Sequence, residues 1–123
     1  MARFVVRVYG GKGAERSYRD LDFLVEARVR WLVLPSRVSN ELGIETADAS
    51  PVVAPSGETV DCEFGTALIE TEGRQGVTLV YKFDGVEPKI GSIALGSLGI
   101  TIDKLTGEPV IDAPVRLLGF WRS

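Results

Sequence analysis

Histidine is absent from this chain of 123 residues, and cysteine occurs only once, as Cys62. Without histidine, neither a Ser-His-Asp triad nor a Cys-His pair can form, and one thiol cannot build a zinc site. A single cysteine also excludes a disulfide within the chain, and the carboxylates show no calcium-loop spacing. We therefore expect no metal and no cofactor. Any hydrolytic chemistry would have to use carboxylates, lysine or tyrosine.

The chain also lacks an excess of positive charge and a long hydrophobic run. Its net charge is −3 with a pI near 5.0, and its basic residues are scattered. We therefore expect no nucleic-acid partner and no binding to an anionic membrane. The N-terminal segment MARFVVRVYGG is too short and too charged for a signal peptide or a membrane span. The expected location is the cytoplasm.

The composition that remains is that of one globular domain, which we expect to span residues 1–123. Apolar residues make up 45% of the sequence and charged residues 25%, a normal balance for a folded domain. Most segments alternate apolar and polar residues with a period of two, which is typical of β-strands. Two segments, 36–43 and 91–99, instead predict short helices that end at Gly43 and Gly99. The expected fold class is all-β with two short helices.

Residues 23–34 (FLVEARVRWLVL) keep the period of two without a glycine. The alternation places Glu26, Arg28 and Arg30 on one face and Trp31 on the other. The proline that follows ends the strand, because it has no N–H to donate to a neighbouring strand. We expect one uninterrupted strand, with Trp31 in the core and Glu26 ion-paired to a neighbouring arginine.

The motif Leu-Gly-Ile occurs twice, at residues 42–44 and 98–100. Each copy ends a predicted helix, follows a strand and precedes an extended segment. Repetition of such a unit in a small β domain suggests two halves related by a pseudo-twofold axis.

The order of these parts resembles the small retropepsin-like aspartic proteases of bacteria and archaea. The resemblance covers residues 3–118 and lies in the order and spacing of the parts. It implies a closed retropepsin-like barrel with two short helices, assembled as a homodimer. In chain order the shared pieces are Val33-Leu34-Pro35, Leu42-Gly43-Ile44, Ser56-Gly57-Glu58, Ile90-Gly91, Leu98-Gly99-Ile100, residues 103–107 (DKLTG) and a final Pro-Val pair.

In that family each subunit contributes an Asp-Thr/Ser-Gly-Ala loop, and the two aspartates that meet at the dimer axis share one proton. Counting back from Val33-Leu34-Pro35 places this quartet at Glu26, Ala27, Arg28 and Val29, and all four differ from the family residues. Glutamate extends the carboxyl group by a methylene, Ala27 lacks the hydroxyl, and Arg28 has a Cβ where the family has glycine. Arg28 also favours an ionised Glu26, whereas the mechanism needs one acid of the pair protonated.

The resemblance implies further roles outside the quartet. Ser56 and Gly57 fall at the tip of a flap that closes over an extended peptide. Ile90 and Gly91 fall at a hydrophobic-Gly motif where two backbones approach closely. We also expect Glu26 to pair with an arginine of the second subunit, so that opposite charges replace the shared proton.

Three functions are consistent with these residues. The first is a homodimeric relative of the aspartic proteases that has lost or strongly weakened its peptidase activity and acts as a scaffold or peptide-binding module. The second is an active aspartic-type endopeptidase that uses a pair of Glu26 residues across the dimer. The third is an unrelated small β-barrel binding domain that is similar only in pattern. We rank them in that order.

Overall fold

A computed structural model describes residues 2–11 and 17–111 of the chain. Within these ranges the chain is mostly β-strand, as the alternating segments predict, and both expected helices are present. A further strand that the sequence predicts at residues 115–118 lies outside the described residues. The elements are β1 (Arg3–Gly10), β2 (Ser17–Val25), β3 (Leu32–Leu34), α1 (Ser36–Glu41), β4 (Asp48–Val53), β5 (Thr59–Thr71), β6 (Arg74–Lys82), β7 (Lys89–Ile90), α2 (Ser92–Gly96), β8 (Ile100–Ile102) and β9 (Pro109–Ile111).

Seven of these strands form one sheet in the order β1-β2-β7-β3-β6-β5-β4, and β8 pairs with β9 in a separate sheet. β1 also pairs with β5, through Arg7 opposite Glu70 and Tyr9 opposite Leu68. Because of this extra pairing, the strands β1, β2, β7, β3, β6 and β5 follow one another in a ring. β4 lies outside the ring, paired with the first part of β5.

The pairings have the twofold pattern that the Leu-Gly-Ile repeat suggests. If β1, β2 and β3 are exchanged with β5, β6 and β7, the ring of paired strands is unchanged. The parallel pairs β2–β7 and β3–β6 replace each other in this exchange. The exchange leaves each of the antiparallel pairs β3–β7 and β1–β5 unchanged, because it only swaps the two strands of the pair. α1 follows β3 and α2 follows β7, so the helices correspond as well.

Each helix is followed by a glycine that redirects the chain. Gly43 and Gly99 have φ values of +77° and +72°, in the left-handed region that glycine adopts without the steric cost of a Cβ. The leucine and isoleucine on either side of each glycine are buried, which places both Leu-Gly-Ile motifs in the core. The repeated motif therefore has the same structural role in both halves.

Residues 23–34 are not one strand, and that prediction was wrong. β2 ends at Val25 and β3 begins at Leu32. Both strands pair with the same two residues of β7, Lys89 and Ile90, β2 on one side and β3 on the other. The chain must therefore leave the sheet and cross over β7 between them. The break between β2 and β3 is caused by β7, which lies more than fifty residues further along the chain. The local alternation of residues 23–34 therefore could not reveal the break.

One charged side chain, Lys82 on β6, is buried among the described residues. Its ammonium group donates hydrogen bonds to the Ile44 carbonyl at 2.7 Å, the Thr46 hydroxyl at 3.0 Å and the Asn40 side-chain oxygen at 3.2 Å. All three acceptors are neutral and belong to α1 or to the segment that follows it. Hydrogen bonding of this kind offsets part of the cost of removing a charge from water.

Candidate functional site

A groove of about 990 Å³ is lined by the crossover of residues 26–31 and by the hairpin that β4 and β5 form. From the crossover come Glu26 and residues 28–31, and from the hairpin residues 51–55 and Gly57. Val33 of β3, Cys62 of β5 and side chains from the end of β6 to the start of β7 complete the lining. The groove therefore brings part of the quartet, Glu26 and residues 28–29, close to Gly57 of the hairpin tip, whereas Ser56 does not line it.

The quartet itself forms a tight turn. The Val29 N–H donates to the Glu26 carbonyl at 3.1 Å, which closes the turn over Ala27 and Arg28. Ala27 is exposed and does not line the groove, whereas Glu26, Arg28 and Val29 do. Glu26 thus enters the groove from the first position of a turn that has no glycine in it.

Glu26 forms an ion pair within its own chain. The Arg28 guanidinium donates to its carboxylate at 2.8 Å, and the Glu26 side chain is only 16% exposed whereas that of Arg28 is 88% exposed. The hydrogen bond from Arg28 lowers the pKa of Glu26 below its ordinary value, against partial desolvation, and the nearby charge of Lys89 lowers it further. The carboxylate is therefore held in its ionised form, which is the form that cannot donate a proton.

The N-terminus of α2 fixes the crossover. Ser92 N–H donates to the Val29 carbonyl at 3.1 Å, and Ile93 and Ala94 N–H donate to the Arg30 carbonyl at 2.9 and 3.0 Å. These bonds satisfy N–H groups that a helix leaves without partners in its first turn.

At Gly91 the backbone that leads into α2 packs tightly against the backbone of the crossover. A Cβ at residue 91 would lie 2.0 Å from the Val29 carbonyl oxygen, which no side chain can do without displacing the backbone. Its neighbour Ile90 is fully buried. Gly91 and Ile90 therefore position the crossover and do not contribute chemistry.

Ser56 and Gly57 form the exposed tip of the β4–β5 hairpin. Gly57 has φ of +89° and donates its N–H to the Ala54 carbonyl at 2.8 Å. The Ser56 hydroxyl accepts a hydrogen bond from the Glu58 N–H at 3.3 Å. Close to the tip, Val53 is 74% exposed although it is apolar. The tip thus offers apolar and backbone groups at the edge of the groove.

Aromatic side chains form part of the groove wall, and sequence reasoning missed them. Trp31, which was predicted in the core, is half-buried and lines the groove with Tyr81 and Phe83. Leu32 and Leu34 are fully buried in its place. The crossover reverses which residues of the alternating segment face inward, so the wrong set was assigned to the core.

The groove also contains the single thiol of the chain. Cys62 is 3% exposed, and burial raises the pKa of its thiol. A thiol that stays protonated is a poor nucleophile. Within residues 2–11 and 17–111, no three residues from among histidine, cysteine, aspartate and glutamate lie close enough together to hold a metal ion. The described part of the chain also contains no helix that is long and apolar enough to cross a membrane.

No protein-family model matches the chain, and a search of curated proteins finds no match. The site combines a partly apolar groove, one carboxylate that is ion-paired to an arginine, and a hairpin tip at the edge.

Proposed function

We propose that the chain is a retropepsin-like domain that binds an extended peptide segment in the groove without cleaving it. One observation carries this proposal: a single groove is lined both by the turn at residues 26–29 and by the tip of the β4–β5 hairpin. The ring of six paired strands and its twofold pattern support the barrel that the resemblance implies. In this proposal the hairpin corresponds to the flap.

The electrostatics of Glu26 argue against peptidase activity. A proton-sharing pair needs one carboxyl group that stays protonated, and the Arg28 hydrogen bond favours the ionised form instead. Glutamate also places its carboxyl group differently from aspartate, and a misplacement of about 1 Å can lower a rate by about 100-fold. Peptide binding requires neither a protonated carboxyl group nor its exact position, because binding depends on the shape and polarity of the groove.

The homodimer is part of the same proposal. The chain supplies one turn of the quartet type, and in the family that it resembles two such turns meet at the dimer axis. Glu26 already has a partner in its own chain, so contacts between subunits need not include an ion pair to Glu26.

Peptide binding can be mapped by NMR. A mixture of unstructured peptides is expected to shift the backbone amide signals of residues 26–31, 52–54 and 56–57. Trp31→Ala should weaken the effect, since it removes an aromatic wall of the groove. Tyr18→Ala is the matched control, because Tyr18 is an aromatic side chain that is 52% exposed and lies outside the groove. Shifts that avoid all three segments would contradict the proposal.

Cleavage is tested in parallel with denatured protein substrates between about pH 3 and pH 7, where carboxyl groups titrate. We expect no cleavage that a statine-type inhibitor blocks. If such cleavage is observed and disappears in Glu26→Gln, the chain is an active endopeptidase and the non-cleaving function is wrong.

A further inference from the structure

The charge of the groove differs in sign from that of the whole chain. Its lining contains three cations, Arg28, Arg30 and Lys89, and one carboxylate, Glu26, for a net charge of +2. The chain as a whole carries −3. A concentration of positive charge in the groove of an acidic protein favours an anionic ligand there over a neutral or cationic one.

Two of the three cations have no carboxylate partner in the described part of the chain. Neither Arg30 nor Lys89 forms an ion pair there, in contrast to Arg3, Arg7 and Arg19 on β1 and β2, which do. Lys89 affects Glu26 only through its charge. As far as residues 2–11 and 17–111 are concerned, the groove therefore keeps two cations available for a ligand.

Arg28 also contributes to the positive charge of the groove, although it is paired with Glu26. It contacts Glu26 through one terminal nitrogen, and 88% of its side chain is exposed. A guanidinium group has five N–H donors, and the bond to Glu26 is the one side-chain hydrogen bond that Arg28 makes to the described residues. A carboxylate approaching from the open side could accept from the other donors without breaking the pair with Glu26.

From this distribution we infer that the groove selects a peptide segment whose acidic side chains flank apolar ones. The acidic side chains would contact Arg28, Arg30 and Lys89, and the apolar ones would contact the wall of Trp31, Tyr81 and Phe83. Charge-assisted hydrogen bonds to guanidinium groups supply the selectivity, and apolar burial supplies affinity. This inference rests on the proposed function, since it names the class of peptide that the groove binds.

The test uses three blocked, fluorescently labelled peptides of equal length that share central leucines and differ only in the flanking residues, which are Glu, Gln or Lys. Binding is measured by fluorescence anisotropy with the full chain. We expect the Glu peptide to bind about tenfold more tightly than the Gln peptide and the Lys peptide to bind most weakly. Raising the salt concentration from about 0.05 M to about 0.5 M should reduce this preference.

Charge-removing variants locate the effect. Arg30→Gln and Lys89→Gln should each weaken binding of the Glu peptide by about three- to tenfold more than they weaken binding of the Gln peptide. Lys104→Gln is the matched control, because Lys104 is a lysine in an exposed turn outside the groove, and it should change neither affinity.

The outcomes separate this inference from the proposed function. If the Glu and Gln peptides bind equally well in the groove, acidic selectivity is wrong and peptide binding stands. If no peptide binds, the proposed function is wrong as well. If a single-stranded oligonucleotide competes with the Glu peptide at similar concentration and with the same dependence on Arg30 and Lys89, the groove is a general polyanion site and the inference is overturned.

Discussion

Glu26 and Arg28 are separated by one residue, and that spacing brings their side chains together in a strand or in a tight turn. The sequence therefore predicted an ion pair between Glu26 and a neighbouring arginine, and the structure has one at 2.8 Å. The resemblance suggested in addition a partner in the second subunit, whereas the pair that the structure has lies within one chain. The sequence also did not predict that Arg30 has no carboxylate partner in the described residues. Those facts depend on the path of the crossover, which the local residue types do not determine.

At this scale, the Arg28→Gln variant is expected to raise the pKa of Glu26, because the hydrogen bond from Arg28 is the largest influence that lowers it. Carbon-13 NMR of the glutamate side-chain carboxyls across an acid titration measures this pKa directly. Arg30→Gln is the control and should leave it unchanged. An unchanged pKa in Arg28→Gln would show that the ion pair does not control the ionisation of Glu26.

The same pair has a consequence for stability against pH. The pKa of Glu26 is lower in the folded state than its ordinary value of 4.5, so the ionised carboxylate stabilises the fold above that value. The contribution is lost as the pH falls through the lower, folded-state pKa. In Glu26→Gln the free energy of unfolding should therefore decrease less steeply on acidification than in the parent chain.

Among the elements, the two helices could be located from the sequence because the signals that define them are local. Each is short, and each is followed by a glycine that the structure places in the left-handed region. The crossover between β2 and β3 could not be located, because what separates these strands is β7, which comes later in the chain. The groove wall was missed for the same reason, since Trp31 lies on that crossover.

The contact between α2 and the crossover gives a prediction at the scale of elements. Gly91→Ala should lower the free energy of unfolding by about 1–3 kcal/mol, because the new Cβ would meet the Val29 carbonyl and the two backbones would have to separate. Gly96→Ala is the matched control, also in the α2 region, where a Cβ has no atom within 4 Å. It should be neutral or stabilise by about 0.5–1 kcal/mol.

Urea denaturation followed by circular dichroism measures both variants. Equal stability of Gly91→Ala and the parent chain would mean that the Val29 carbonyl does not lie against Gly91. The NMR signals of residues 29–31 should change in Gly91→Ala and remain unchanged in Gly96→Ala.

For the whole molecule, the repeat of Leu-Gly-Ile was enough to suggest the twofold pattern of strand pairings, because each copy redirects the chain in the same way. No comparable repeat or motif indicates how two chains assemble. Assembly depends on which apolar surfaces the folded chain leaves exposed to solvent. In the described residues, the small sheet of β8 and β9 exposes apolar side chains: Val110 and Ile111 are each 45% exposed.

We expect the chain to sediment as a dimer of twice its 13.3 kDa mass and Val110→Asp to shift it towards the monomer. The introduced charge would have to be desolvated if β9 lies in the subunit contact. Val77→Asp is the control, since Val77 is 66% exposed on β6. Sedimentation equilibrium over a range of concentrations distinguishes monomer from dimer in the parent chain and in both variants. A monomer at about 100 μM would remove the homodimer from the proposal while leaving peptide binding in place.

The ammonium group of Lys82 has a further consequence for how the domain opens. Its three acceptors come from α1 and from the segment after it, while the lysine belongs to β6. If any one of these segments moved away alone, a positive charge would remain in the apolar interior with fewer oxygens around it, which is energetically unfavourable. The helix, the segment that follows it and the central strand are therefore expected to separate together or not at all, as one cooperative unit.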